Sequence, residues 1–497
     1  MKYSKVLGSI FLIAAFIHIP AFMMPDGSTH SVTYNYIWTT GFAEAFAQGD
    51  FYPRWSPKSF EGLGSPTFYF YPPLAFWTSG AIATFGVPPL SAVVLAAAMF
   101  SAGSGLAMYA WLKAQTPHAL WGAIVYMIAP YHMCNFYVRG ALAEYAAYMW
   151  LPLIMLSLAR LPDKRWILPL AISYDGLLLT HIPSAVLTRV FLIIPSSLYR
   201  SYHNRKIFVP GLVAGLLGIA LSGFYLFPAM ALQKFITTDM LWSPFYQPSS
   251  WFPWNRFDIE YLVEIPALAV ALILCGAAMR NVWGFVTCIA ACASIGLVPF
   301  IWNIDVLAQV QFPWRLLGLV EFTAITVILL GPRRELLLKL GLALAVVPMT
   351  NFLTRAVITM RTPMDFRSIE TDRPDAPEYL PPGLANTGIT ELQRIPDLRN
   401  YKQLPRGDRI YVSAKGPIVI GHTDFPVWQV VHRGKIIPHS GPLISFDAPA
   451  PGVYRVQRKS VFVEVFGWAA TFTAILVMLI GIFLSFRSKS RMPGTQY

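Results

Sequence analysis

Four short stretches place ionisable side chains where apolar runs begin or end. "AFMMPDGSTH" sets Asp26 and His30 directly after a greasy segment. "FYVRGALAEY" holds Arg139 and Glu144 five residues apart, with Gly140 free to turn between them. "LLLTHIPSAV" carries His181 and Pro183, and "QVQFPWRLLG" carries Pro313, Trp314 and Arg315 ahead of another apolar run. A carboxylate at a wet helix mouth can take a proton or ligate a cation. An arginine offers a planar fork of donors that suits a phosphate. Each residue also has a plain structural use. Asp26 and His30 could cap a helix end, Arg139 and Glu144 could form an interface pair of little worth, and His181 could cap a helix. Arg315 could snorkel beside Trp314.

The elements that position these residues are membrane helices. The chain has 497 residues, 55% hydrophobic and only 13% charged, against about 25% charged in a soluble domain. The net charge of +13 is read as the basic excess of cytoplasmic loops; no basic, aromatic-interleaved groove points to nucleic acid. Lys2 and Lys5 precede an apolar run to Met24 that reads as an uncleaved first helix. Cys134, Cys275, Cys288 and Cys292 all fall in apolar segments and read as small core residues, not as disulfides.

The pattern predicts twelve spans, at 6–24, 89–112, 118–136, 142–160, 165–182, 183–200, 207–228, 261–279, 283–302, 314–331, 335–356 and 464–486. Segment 72–86 is too short to span comfortably and is read as a helix dipping into the outer face. This register puts sixteen Lys and Arg inside, among them Lys2, Arg280, Arg333, Arg334 and Arg491. Outside it puts five: Arg54, Lys58, Arg139, Lys234 and Arg256. Both termini are then cytoplasmic.

Residues 1–357 form a transmembrane domain with outside loops 25–88 and 228–260. Within the first loop, 31–48 reads as an amphipathic helix lying on the membrane. Residues 358–462 alternate short β runs with turns and read as a small β-rich extracytoplasmic domain; 463–497 is the last helix and a basic tail. Phe425, Trp428 and Tyr454 of the β domain suit its own core better than sugar stacking. Deeper charges, Asp175 and Arg189, lie six residues to either side of the 181–183 turn, about 9 Å below the surface. They are expected to pair across the hairpin as a structural contact.

Together, the outside Asp–His pair, "GDFYPRW", "GSPTFYFYPPL", "VRGALAEY", "THIPS" and "FPWRLL" resemble the bacterial integral-membrane proteins labelled 6-pyruvoyl-tetrahydropterin-synthase-related, or YfhO-like. That group is similar to the GT-C glycosyltransferase superfamily. The resemblance to the bacterial family covers nearly the whole chain; that to GT-C enzymes covers chiefly 1–200. It implies an all-α polytopic fold of about twelve spans with a β-rich domain before the last helix. It also implies sugar transfer from a polyprenyl-phosphate donor to a glycan, lipid or protein acceptor at the outer face of the bacterial cytoplasmic membrane. On that resemblance Asp26 matches the first-loop catalytic carboxylate, with His30 beside it, and Glu144 a second acidic site. Arg139, His181, Trp314 and Arg315 would bind lipid phosphate or sugar. No cofactor is certain, and the first-loop carboxylate leaves room for a divalent cation. The other readings are a transporter of lipid-linked saccharide, which would show inverted repeats and broken helices, and a non-catalytic envelope assembly factor.

Overall fold

The computed structural model describes residues 3–238, 243–255, 259–279, 281–331, 335–384, 401–404 and 408–490. Lys2, Arg256, Arg280, Arg333, Arg334 and Arg491 of the charge register lie outside these. The described chain is mostly helical, with a small β region near its C-terminus. It divides into two compact units: Met1–Pro53, Pro72–Val213 and Asp239–Thr371 form the first, and Arg54–Tyr71, Ala214–Thr238 and Asp372–Tyr497 the second.

The helices, in chain order, are α1 (Tyr3–Met23), α2 (Val32–Ala47), α3 (Thr67–Phe70), α4 (Leu74–Thr84), α5 (Pro89–Leu112), α6 (Ala119–Met127), α7 (Pro130–Tyr137), α8 (Leu142–Ala147), α9 (Trp150–Arg160), α10 (Ile167–Thr180), α11 (Ile182–Thr188), α12 (Ile194–His203), α13 (Phe208–Leu221), α14 (Gly223–Leu232), α15 (Ile259–Ala277), α16 (Val282–Ser294), α17 (Asp305–Ala308), α18 (Leu316–Leu330), α19 (Glu335–Arg361), α20 (Phe366–Asp372) and α21 (Phe462–Ser490). Seven stretches among the described residues are long and apolar enough to cross a membrane: Ser4–Met23, Pro89–Leu112, Leu142–Arg160, Ile182–His203, Pro313–Leu330, Glu335–Ile358 and Phe462–Phe483. The pair Arg205–Leu221 and Gly223–Phe235, bent by 72°, makes an eighth if counted as one span.

Twelve straight spans are therefore not what the lengths give, and the breaks have physical causes. The expected 118–136 helix stops at Met127 and restarts at Pro130, because proline lacks the N–H that would continue the ladder and suits a first turn. The expected 165–182 helix is 14 residues long, and α16 ends at Ser294 after 13. Segment 72–86 is, as read, a short helix; α4 has 11 residues.

The 31–48 helix differs from a free surface helix. It forms α2, which buries Ile37, Trp38 and Phe42 and packs against α4 and α5. The contact is close because Gly80 has no side chain: a Cβ there would stand 2.3 Å from the Phe42 Cβ. Thr39 and Ser79 share a hydroxyl hydrogen bond of 2.8 Å across it.

In the second unit, β1 (Tyr401–Gln403), β2 (Arg409–Val412), β3 (Gly416–Thr423), β4 (Trp428–His432), β5 (Lys435–Ile437), β6 (Leu443–Ala448) and β7 (Gly452–Arg458) form two antiparallel sheets. One is five-stranded, in the order β1-β2-β7-β4-β5; β3 and β6 form the other. Alternate residues turn inward, and Ile410, Val412, Ile418, Val430, Ile444 and Tyr454 make the core. Phe425 and Tyr454 are fully buried, and half-buried Trp428 stands edge-on to Trp55, with ring centres 5.1 Å apart. These aromatics are spent on packing.

The last helix packs on α14 through small residues. A Cβ on Gly467 would meet the Gly223 carbonyl at 2.6 Å, and Thr471 donates to the carbonyl of Leu221 at 3.0 Å while accepting from the Phe224 N–H at 3.0 Å. At its start Glu464 is buried and gathers Arg458 at 2.7 Å, the Tyr69 hydroxyl at 2.8 Å and Arg54 at 3.3 Å. Arg54, counted above as a loop charge, is thus only 3% exposed, and it also donates to the Phe224 carbonyl at 2.8 Å.

His439 and Asp424 form an ion pair of 3.2 Å in the same unit. The Asp424 carboxylate beside it holds the His439 pKa above its usual 6.5. A raised folded-state value stabilises fully below the unfolded pKa and is lost as pH rises through the folded one. The unit's melting temperature should therefore fall on going from about pH 6 to about pH 8.5. In Asp424→Asn that histidine-linked part of the fall should vanish; thermal melts of the full chain at both pH values check it.

Candidate functional site

The cluster forms at one end of the first unit, where five chain segments meet. α1 ends at Met23, and the loop after it is stitched to the segment after α19. Met364 N–H donates to the Asp26 carbonyl at 3.0 Å, Ser28 N–H to the Thr362 carbonyl at 3.1 Å, and Gly27 pairs with Pro363. The same loop continues onto the α7–α8 turn: His30 N–H donates to the Val138 carbonyl at 3.2 Å and Ser31 N–H to the Arg139 carbonyl at 3.0 Å. Asn35 of α2 fixes the next residue, its Nδ2 donating to the Gly140 carbonyl at 2.8 Å.

Gly140 ends α7 with φ +61°, the left-handed conformation that helix ends leave to glycine. It also has no room: a Cβ would stand 2.2 Å from the Thr29 Oγ1. Gly140→Ala should therefore cost more than the about 1–2 kcal/mol of the backbone strain alone and displace Arg139. A thermal melt checks the first effect, and the ligand-binding assay described below checks the second.

Glu144 is the hub. It is 3% exposed and starts a span, where an unpaired carboxylate would be costly. Its Oε1 accepts the Tyr131 hydroxyl at 2.7 Å; its Oε2 accepts Arg139 Nη1 at 2.7 Å and lies 3.4 Å from Arg315 Nε. Arg139 uses Nη1 three times, donating also to Asn135 Oδ1 at 2.6 Å and to the Tyr131 hydroxyl at 3.0 Å. The other edge of its guanidinium, Nε and Nη2, makes no hydrogen bond among the described residues, and the side chain keeps 17% exposure. Arg315 is aimed by Nη1, which donates to the Val310 carbonyl at 2.6 Å, and by the Phe312 ring, 4.8 Å away.

His181 caps α11. Its Nδ1 accepts the Ser184 N–H at 3.3 Å, so the ring proton of the neutral form sits on Nε2. The ring also lies close enough to Glu144, Arg139 and Arg315 to feel their charges. Trp314 is buried and packed between Phe312 and Trp251, at centroid distances of 4.9 and 5.0 Å. A cavity of about 20 Å³ lies beside the hub, lined by Glu144, Tyr148, Ser184, Thr188 and Arg315 among others; this is room for one water.

The structure thus brings Arg139, Glu144, His181 and Arg315 together. Asp26 stays apart from their hydrogen-bond network. It is half-buried, and its carboxylate makes no hydrogen bond or ion pair among the described residues. His30 is exposed. Beside the Asp26 loop a second cavity, of about 50 Å³, is lined by Pro25, Gly27, Thr29, Asn35, Tyr137 and Met360 among others. Arg189 is exposed, while Asp175 is half-buried. Among the described residues no three His, Cys, Asp or Glu side chains gather as metal ligands.

Three residues of this end escape a reading of end-of-helix motifs. Tyr131 and Asn135 look like ordinary members of an apolar helix. Glu321 sits inside α18, 1% exposed, and a lone acid in an apolar run was the signal that could have found it. Its Oε1 accepts the Tyr131 N–H at 2.6 Å, and its Oε2 accepts the Tyr148 hydroxyl at 2.8 Å and the His132 N–H at 3.3 Å. It therefore caps α7 where the chain breaks before Pro130.

No protein-family model matches the chain, and no curated protein matches it. Among solved structures it is similar to the mycobacterial arabinofuranosyltransferase AftD, determined by single-particle cryo-EM, at 14% identity and a TM-score of 0.48. The alignment covers 92% of this chain and 40% of that one, so the chain spans less than half the length of that protein.

Proposed function

We propose that the chain is a membrane glycosyltransferase of GT-C type. It moves a sugar from a polyprenyl-phosphate donor to a glycan, lipid or protein acceptor of the cell envelope, at the outer face of the cytoplasmic membrane. One observation carries the reading: Arg139 is anchored by a single nitrogen against buried Glu144 and leaves a bidentate edge open at the end of apolar helices. Two arginines face one carboxylate there, so the cluster favours an anion. A lipid phosphate cannot leave the bilayer, and helix ends are where it meets water.

In this reading the acceptor hydroxyl attacks the anomeric carbon, the bond from that carbon to the phosphate oxygen breaks, and the hydroxyl proton passes to Asp26. The charge that develops on the departing phosphate meets Arg139, with Arg315 behind it. Glu144 holds the two arginines, and His181 and Trp314 shape the wall; Asp175 and Arg189 are proposed as a structural pair. Comparing lipid-linked and surface glycans by mass spectrometry in wild-type and deletion strains tests the function. Loss of one sugar with accumulation of its underglycosylated acceptor supports transfer.

The break between α6 and α7 and the 72° bend between α13 and α14 are the features that favour a transporter of lipid-linked saccharide instead. Both oxygens of the carboxylate at that break are taken by N–H and O–H donors, so it is occupied as a helix cap. Accumulation of a complete, unaltered lipid-linked saccharide in the deletion strain would decide for transport.

A further inference from the structure

The geometry points to Glu321 as a positioning residue for the Glu144–Arg139 cluster, acting through Tyr131. This rests on the function proposed above. Glu321 lies six residues beyond Arg315 in the sequence, about 9 Å further along the helix, and touches neither arginine. Its reach is indirect. α7 is an eight-residue half-helix, detached from α6 by the Pro130 break. Both ends of it are fixed from outside. At its start Glu321 takes the N–H groups of Tyr131 and His132. At its end the left-handed Gly140 turn is pinned by Asn35 and Ser31.

Tyr131 joins the two levels within one residue. Its backbone N–H is held by Glu321 at 2.6 Å, and its hydroxyl stands between Glu144 at 2.7 Å and Arg139 at 3.0 Å. Asn135, one turn on, holds the same Arg139 nitrogen at 2.6 Å. A shift of α7 along its axis would thus move both groups that aim Arg139. Tyr148 adds a brace, donating its hydroxyl to Glu321 at 2.8 Å and stacking on the His132 ring with centroids 3.8 Å apart. Glu321 is therefore tied to α7 and to the Leu142–Arg160 span, and the Glu144 that begins that span is placed by the same carboxylate.

Binding of undecaprenyl monophosphate to the purified full chain in detergent tests this, with Tyr131→Phe, Glu321→Gln and the double variant. Each single variant should weaken binding about tenfold, and the double should be no weaker than the worse single, because both act along one chain of contacts. Losses that multiply to about a hundredfold, or wild-type affinity in Glu321→Gln, overturn the proposal. If Glu321→Gln does not fold, Glu321→Asp keeps the charge and draws it back from α7. It should then weaken binding and raise hydrogen exchange at 131–139, and wild-type behaviour in both overturns the proposal. If the wild-type chain does not bind the phosphate, the glycosyltransferase reading falls. Hydrogen exchange in Glu321→Asp then still decides whether Glu321 holds α7.

Discussion

Asp26→Asn should lower sugar transfer about 10²–10⁴-fold and leave the melting temperature of the purified chain unchanged. The two halves of this expectation come from the same geometry. The Asp26 carboxylate makes no hydrogen bond or ion pair among the described residues, so replacing it with an amide of the same shape breaks nothing. Its backbone is held independently, by Met364 N–H on its own carbonyl and by the neighbouring Gly27–Pro363 and Ser28–Thr362 contacts. The side chain therefore stays in place and loses only the ability to accept a proton. Glycan mass spectrometry at matched expression, together with a thermal melt, reads both halves. Full transfer in Asp26→Asn removes Asp26 as the base; a large drop in melting temperature would mean that its role is structural.

Glu144→Ala should fail differently, in stability first. The substitution strands Arg139, whose side chain is 17% exposed, removes one partner of Arg315, and takes the acceptor from Tyr131. Breaking a buried pair from one side costs about 3–5 kcal/mol, because the charge left behind is uncompensated. Glu144→Gln should cost less, since the amide oxygen can still accept one donor. Arg139→Ala added to Glu144→Ala should restore part of the loss, as it removes one stranded cation. Folded fraction by size exclusion and thermal melts order the three variants. Equal stability of Glu144→Ala and wild type would show that the hub does not hold this end together.

Much of this end was readable as sequence, because the rule it obeys is local. A charge at the end of an apolar run must find water, a partner or a substrate, and the four motifs around Asp26, Arg139, His181 and Arg315 all mark such ends. Helix alternation puts all four at one end, and the resemblance to sugar transferases is what gathers them into one cleft. Asp26 is the exception: connectivity puts it at the right end, and side-chain direction then leaves it outside the hydrogen-bond network. What stayed hidden depends on contacts between distant segments. The burial of Arg54 needs Glu464, 410 residues away, and no spacing rule reaches that far. The α2 helix was read as a surface element because its polar residues are visible in sequence, whereas the Gly80 recess that receives Phe42 is not. Where twelve spans were expected, seven or eight stretches among the described residues are long and apolar enough, because hydropathy sums composition and overlooks a broken ladder: Pro130 divides an apolar run that scores as continuous. Glu321, buried behind that break, was passed over by a search confined to helix ends.

The last helix carries one more consequence. Only 17% of its apolar window is covered by protein. The residues that touch α14 or seat the ion cluster include Glu464, Phe466, Gly467, Trp468, Ala470 and Thr471, all in the first half of the helix. Beyond Ala474 the described side chains are mostly exposed. Identities there can drift among apolar types at little cost, so this half of the helix should accept replacement by an unrelated apolar anchor of the same length.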